Sequence, residues 1–155
     1  MINLSIIIPI YKESRNIQKL AKDITNHINI KNYEILFIDD NSNDGTEEIL
    51  KNLYEDNRNI KYIIRKERKI DLSKSCILGF ENSLFDNILV MDGDLQHDPS
   101  NINKLIEVYA AKNADIVVGS RNLFNKKNEG LGLIRLTSSK FLILLISLLL
   151  NKKTD

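Results

Sequence analysis

Short runs dominated by Ile, Leu and Val alternate along this chain with longer stretches in which apolar residues recur at helical spacing. Five runs read as strands: Leu4–Ile10, Glu34–Asp39, Ile60–Arg65, Asn87–Met91 and Asp115–Gly119. Each is rich in apolar residues, as a strand covered on both faces requires. After the first run, Ile17, Leu20, Ala21, Ile24 and Ile28 form one helical stripe, and Ile49, Leu50 and Leu53 begin another after the second. Ser14, Thr46 and Ser73 are each placed to cap a first helical turn, and Asp98-Pro99 offers a capping carboxylate followed by proline at the first helical position. Strand and helix alternating in this way predict an α/β fold, a mainly parallel sheet flanked by helices.

Composition narrows the possibilities. At 155 residues the chain is one ordinary domain with a real core, and 43% hydrophobic with 28% charged residues is a soluble globular balance. A net charge of +1 provides no field for a polyanion, so nucleic acid is not an expected partner. The single cysteine, Cys76, excludes an internal disulfide; its spacing to Ile77 and Phe80 reads as a small buried side chain rather than a nucleophile. Met1-Ile2-Asn3-Leu4 runs directly into the first strand without the features of a signal peptide, so a cytoplasmic start is expected.

In an open α/β sheet, ligands bind outside the carboxyl ends of the strands. The residues there are rich in chemistry. Asp92-Gly93-Asp94-Leu95-Gln96-His97 follows the apolar run Ile88–Met91. Carboxylates two apart on an extended strand face opposite sides, but a turn at Gly93 lets both converge on one hard cation, Mg²⁺ or Mn²⁺. Such a cation usually shares its shell with substrate phosphates, which points to a diphosphate ligand. The competing reading is a pair of acids that ends a strand and caps a turn, and the short Asp-x-Asp pattern alone favours it. Pro9-Ile10-Tyr11-Lys12-Glu13, Asp39-Asp40-Asn41-Ser42 and Gly119-Ser120-Arg121 occupy the corresponding positions after other strands. Asp40 suits a hydrogen bond to a base or ribose, and the planar fork of Arg121 suits a phosphate. Asp44, within Asn43-Asp44-Gly45-Thr46, reads as a turn and cap, whereas for Asp39 and Asp40 a site role weighs at least as much as a structural one.

Taken in order, Pro9-x-Tyr11-x-Glu13, Asp39-Asp40-x-Ser42-x-Asp44-Gly45-Thr46, Asp92-x-Asp94-Leu95-Gln96-His97-x-Pro99 and Val118-Gly119-Ser120-Arg121 resemble the motifs of family-two glycosyltransferases with the GT-A fold. The Leu95-Gln96-His97 extension is similar to the dolichol-phosphate mannose synthase and bacterial polyprenyl-phosphate glycosyltransferase branch, whose members move a sugar from a nucleotide diphosphate to a lipid phosphate. The resemblance implies that Pro9, Tyr11, Glu13, Asp39 and Asp40 line a nucleotide-sugar pocket, and that Asp92, Asp94 and Gln96 hold the metal and diphosphate. It implies donor contact for Arg121 and phosphate contact on the acceptor side for Arg135. The segment Arg65–Ser73 aligns with a family loop, often glycine-rich, that passes near the nucleotide. The implied chemistry is inverting displacement at the anomeric carbon, with Asp92, Asp94, Arg121 and Arg135 as the catalytic set. A lipid phosphate is already anionic and needs little general base, so His97 reads as a neighbour of the metal loop.

These readings place a catalytic domain in residues 1–132 and an apolar helix of the same domain in 133–155. The apolar run Phe141–Leu150 is about half the roughly twenty residues that a membrane-spanning helix needs. It is expected to lie in a membrane interface or against a partner chain, with the protein peripheral at the cytoplasmic face. The resemblance implies a donor of the GDP-mannose or UDP-glucose type and a polyprenyl or dolichyl phosphate as acceptor. Relatives in this branch generally continue past Lys152–Asp155, which keeps a truncated, catalytically silent nucleotide-sugar-binding module as the alternative. A phosphorelay receiver domain, also an α/β unit with an Mg²⁺-binding acidic cluster, fits less well. A receiver's acidic pair follows its first strand, whereas Asp39-Asp40 follows the second, and no Lys-Pro follows the fifth.

Overall fold

Every residue of the first apolar run is buried, and this places Leu4–Ile10 in the interior of a sheet. The structure is a computed structural model and describes residues 2–67 and 69–119. The elements are β1 (Leu4–Ile10), α1 (Ser14–His27), β2 (Tyr33–Asp39), α2 (Thr46–Asp56), β3 (Ile60–Ile64), α3 (Leu72–Glu81), β4 (Ile88–Val90), a 3₁₀ turn (Pro99–Asn101) and α4 (Ile102–Lys112). Strand order is β3-β2-β1-β4, and every neighbouring pair is parallel. The chain steps outward from β1 to β3 and then returns past β1 to β4. That reversal creates a topological switch point between β1 and β4.

The two faces of the sheet are covered differently. Leu4, Ile6, Ile8 and Ile10 of β1 and Ile35 and Phe37 of β2 join Ile17, Leu20, Ala21 and Ile24 of α1, Leu50 of α2 and Ile102 of α4 in the main core. Ile7, Leu36 and Ile38 point the other way and form a smaller cluster with Ile63 of β3 and Leu78 of α3. The α1 stripe read from the sequence is therefore the helix's core face. On α3 the apolar pattern misleads: the buried residues are Ser75 and Gly79, while Ile77 and Phe80 are exposed and Cys76 is only half-buried. Small side chains let this helix approach β1 closely, and a Cβ on Gly79 would run into the Ile7 side chain.

Several local expectations need correction. Ser14 and Thr46 are the first residues of their helices, following Glu13 and Gly45, and Ser73 lies inside α3. Asp71 caps α3 by accepting from the Lys74 N–H, because a carboxylate one residue before the helix reaches the open amides better than a hydroxyl within it. Asp98 and Pro99 do start their 3₁₀ turn as expected, with Asp98 accepting from the Ser100 N–H. The run Asp115–Gly119 forms no strand among the described residues, and Ile116 and Val118 are 80% and 79% exposed. β-branched composition favours a pleated surface but does not supply a ladder partner.

The chain divides into two compact units, Met1–Glu107 with the whole sheet and a second beginning at Val108. No helix among the described residues is long and apolar enough to cross a membrane. Arg121, Arg135 and the Phe141–Leu150 run lie outside the described residues.

The amino-terminal edge of the sheet is closed by a buried polar knot. Glu34 accepts from the Ser5 hydroxyl at 2.6 Å and lies 2.9 Å from the Lys61 ammonium, and the Phe85 N–H donates back to Ser5 at 3.0 Å. Burial raises the Glu34 carboxyl, but hydrogen bonds from the Ser5 hydroxyl, the Leu84 N–H and Lys61, with the charge of Lys61, outweigh it and leave it lowered. Close packing of α3 is the feature most open to test. Gly79→Ala should destabilise the fold by about 1–3 kcal/mol, read as a lower urea midpoint at unchanged slope.

Candidate functional site at the carboxyl edge of the sheet

Proline in a central strand normally removes a ladder hydrogen bond. In β1 the Ser5 N–H donates to Asn87 and the Ile7 carbonyl accepts from Met91, so odd-numbered residues address β4. Pro9 follows in that series, beyond the last register pair Ile7↔Val90, while β2 stays paired through Ile10↔Asp39. The missing donor thus falls just beyond the end of the β1–β4 ladder, where no further β1–β4 pair is formed. Tyr11 is exposed just past the strand with Lys12 Nζ 5.2 Å from its ring centre, and the Glu13 carboxylate accepts from Asn16 at the start of α1.

Sharp turns follow three of the strands. Lys12, Asn41 and Leu95 all have positive φ, near 58°, 58° and 63°. Asparagine tolerates this region, but for an ordinary side chain it costs roughly 1–2 kcal/mol, so other contacts must hold Lys12 and Leu95 there. For Lys12 the contact is its N–H, which donates to the Ser42 hydroxyl at 2.7 Å, and that hydroxyl donates in turn to Asp39. Asp39 also accepts from the Ser42 N–H and is fully buried. Burial pushes its carboxyl up; the Ser42 hydrogen bonds oppose the shift and the charges of Asp44 and Asp40 add to it. Asp39 thereby ties the ends of β1 and β2 together.

Asp44 has the cap role read from its motif, and it serves two helices. One oxygen accepts from the N–H and hydroxyl of Thr46, at 3.3 and 2.6 Å, and the other from the Ser14 N–H at 3.2 Å. Burial raises its carboxyl, but the hydrogen bonds from Thr46 and Ser14 dominate and lower it from 3.8 to about 2.

Asp40 faces the other flank. Its side chain is buried against Arg65, with the guanidinium at 2.5 Å from Oδ1, and its Oδ2 accepts from the Asp71 N–H at 2.6 Å. Arg65 also donates to the Asp71 carbonyl, the Ser75 hydroxyl and Glu67. Glu67, itself exposed, meets Lys74 at 2.8 Å. The segment from Arg65 to Leu72 is therefore pinned at both ends to the end of β2. Arg65 is 4% exposed and anchors the segment, a role that its alignment with a family loop does not reveal. The available signal was position: an arginine directly after the apolar run Ile60–Ile64 must bury its stem or find a carboxylate.

The loop after β4 carries the acidic pair. Met91 and Gly93 are buried, Asp94 and Leu95 half-buried, and Asp92, Gln96 and His97 exposed. A Cβ on Gly93 would lie 2.5 Å from Ile10, so glycine here permits close approach to β1, whereas Leu95 adopts the left-handed turn. The Gln96 N–H donates to Asp94 at 2.9 Å, and the Asp92 N–H donates to His97 Nδ1 at 3.2 Å. That bond leaves the imidazole proton on Nε2, which lies 3.7 Å from the Asp92 carboxylate. Nearby, burial and then the Asp92 charge push the Cys76 thiol up, away from nucleophilic character.

Asp92, Asp94 and Gln96 offer hard oxygen donors from one loop, a set suited to Mg²⁺ or Mn²⁺ when waters and ligand phosphates complete the shell. Among the described residues no group of three or more His, Cys, Asp or Glu side chains is gathered for a metal. A cation held by this donor set would depend on waters and ligand phosphates for the rest of its shell.

Two measurements check these contacts. Replacing Arg65 by Ala strands a buried carboxylate and should cost about 3–5 kcal/mol in chemical denaturation. Because Asp44 is lowered on folding, its stabilising contribution is complete above pH 3.8 and is lost as pH falls toward about 2. The stability gap between the wild type and Asp44→Ala should accordingly narrow across that window.

The family description "Glycosyl transferase family 2" matches residues 5–154. A dolichol-phosphate mannosyltransferase of Pyrococcus furiosus is 39% identical over 156 aligned positions, covering 98% of this chain and 42% of that protein. The enzyme of the same name from Saccharomyces cerevisiae is 34% identical over 109, covering 68% and 40%. The chain thus spans about two fifths of the length of these curated relatives. Among solved structures, S. aureus TarS superposes with a TM-score of 0.65 at 17% identity, covering 81% of this chain and 24% of that one. The mannosyltransferase PcManGT from Pyrobaculum calidifontis, solved with GDP-Man and Mn²⁺, gives 0.62 at 17% identity, covering 70% and 32%. These likenesses extend the GT-A fold to the α/β sheet described above. By its family match along nearly the whole sequence, this chain belongs to glycosyltransferase family 2.

Proposed function

We propose that this chain binds a nucleotide diphosphate sugar at the carboxyl edge of its sheet and transfers the sugar, with inversion, to a polyprenyl or dolichyl phosphate. One observation carries the reading: the Asp92–His97 loop leaves β4 with Gly93 set against Ile10 at the carboxyl end of β1, at the switch point where ligands bind in an α/β sheet. Kinship with dolichol-phosphate mannosyltransferases supports a lipid-phosphate acceptor and a GDP-mannose donor, with UDP-glucose as the second candidate.

In this proposal Tyr11 and Glu13 line the nucleotide side, and the buried Asp39 and Asp40 carboxylates shape its rim through Ser42 and Arg65. Asp92, Asp94 and Gln96 hold a divalent cation that neutralises the diphosphate. Arg121 contacts the donor phosphates and Arg135 the acceptor phosphate. The acceptor oxygen is already anionic, so the protein's work is to hold both substrates in line and to keep the leaving diphosphate charge-balanced. The apolar run Phe141–Leu150 meets the membrane interface that supplies the lipid, or a partner chain, which makes the protein peripheral at the cytoplasmic face.

A thermal-shift panel of GDP- and UDP-sugars with and without Mn²⁺ tests the donor half, since ligand binding to the native state must raise the melting temperature. The expected result is a Mn²⁺-dependent shift for one base class that disappears in Asp94→Asn, whose unliganded melting temperature stays near the wild-type value. An unchanged shift in the variant would refute the metal assignment. Donor binding without transfer to added polyprenyl phosphate would favour the silent binding module instead.

A further inference from the structure

We infer that Leu95 is the positioning residue of the Asp92–His97 loop: its side chain, packed against the core, holds the left-handed turn that presents Asp94 and Gln96 together. The inference rests on the donor-binding reading above and assigns a role within that site.

Leu95 has a φ of 63°, a conformation that is a genuine outlier for a bulky side chain and persists only when the surroundings fix it. Its surroundings do so. Leu95 packs against the main core cluster, which includes Ile10 at the end of β1, Met91 at the end of β4 and Ile102 at the start of α4. Within the loop, Asp92, Gln96 and His97 are exposed. The inward attachments are Gly93, set against Ile10, and Leu95. Asp94 lies between these attachments, and its carboxylate is turned back to accept the Gln96 N–H at 2.9 Å across the Leu95 turn. An extended residue at this position would send Gln96 away from Asp94. A loop that samples both arrangements binds with an affinity reduced by the fraction of time it is competent.

The test separates anchor from fold. Leu95→Gly adopts the left-handed turn freely but has no anchor, whereas Leu95→Met keeps an unbranched apolar side chain. Binding of GDP with Mn²⁺ is measured by calorimetry on the full chain, beside the thermal melt of each variant. Leu95→Gly should bind GDP–Mn²⁺ about tenfold more weakly or worse while still melting cooperatively, and Leu95→Met should recover the affinity to within about threefold. Wild-type affinity in Leu95→Gly would overturn the inference. So would a Leu95→Gly chain that no longer melts cooperatively, because the residue would then hold the fold and not the loop. If the wild type itself fails to bind GDP with Mn²⁺, the donor-binding reading falls, and this inference with it.

Discussion

The ladder between β1 and β4 is the constraint on which the carboxyl edge depends. β1 is buried along its whole length and remains paired with β2 to its last residue, but its pairing with β4 ends at Ile7↔Val90. Pro9, with no N–H to offer β4, sits just beyond that point. The hydrogen-bonded ladder therefore stops short of the carboxyl end of β1, and the Asp92–His97 loop begins there with Gly93 set against Ile10. An unbroken ladder would carry β4 further along β1 and shift the start of the loop away from the end of that strand.

Charge at this edge is sorted by what holds it. Asp39 is spent on Ser42, Asp44 on the first turns of α1 and α2, and Asp40 on Arg65 and the Asp71 amide. Those carboxylates shape the rim by joining strand ends and pinning the segment after β3. Asp92 and Asp94 are held mainly through their own loop, with Asp92 more than half exposed. Burial and internal hydrogen bonds thus divide an acidic edge into a structural part and a part turned toward solvent, where a cation and a diphosphate can reach it.

The sequence was most legible where a pattern has one physical meaning. Continuous Ile and Leu runs marked the strands β1 and β2, since only a doubly covered strand tolerates them. The stripe from Ile17 to Ile24 marked the core face of α1, and the turn residues around Asp44 announced a cap. Legibility failed where the outcome depends on a distant partner. The position of Arg65 directly after the apolar run Ile60–Ile64 hints that it is anchored, but nothing local names Asp40 as its partner, for the two are far apart in sequence. α3 turns its small residues inward because Ile7 leaves room only for Gly79, a fact about β1. Asp115–Gly119 has strand composition without a strand among the described residues, since composition does not supply a ladder. The left-handed turn at Leu95 escaped notice because glycine two residues earlier was the more obvious place to bend.

Hydrogen–deuterium exchange of the full chain with and without GDP and Mn²⁺ tests most directly whether the carboxyl end of the β1–β4 switch point is the ligand site. The account predicts new protection at the amides of Tyr11–Glu13, Asn41–Ser42 and Gly93–Gln96, with no change at Asn3, Asn32 and Asn87 on the opposite edge. Protection confined to that opposite edge, or binding that leaves Gly93–Gln96 unaltered, would contradict it.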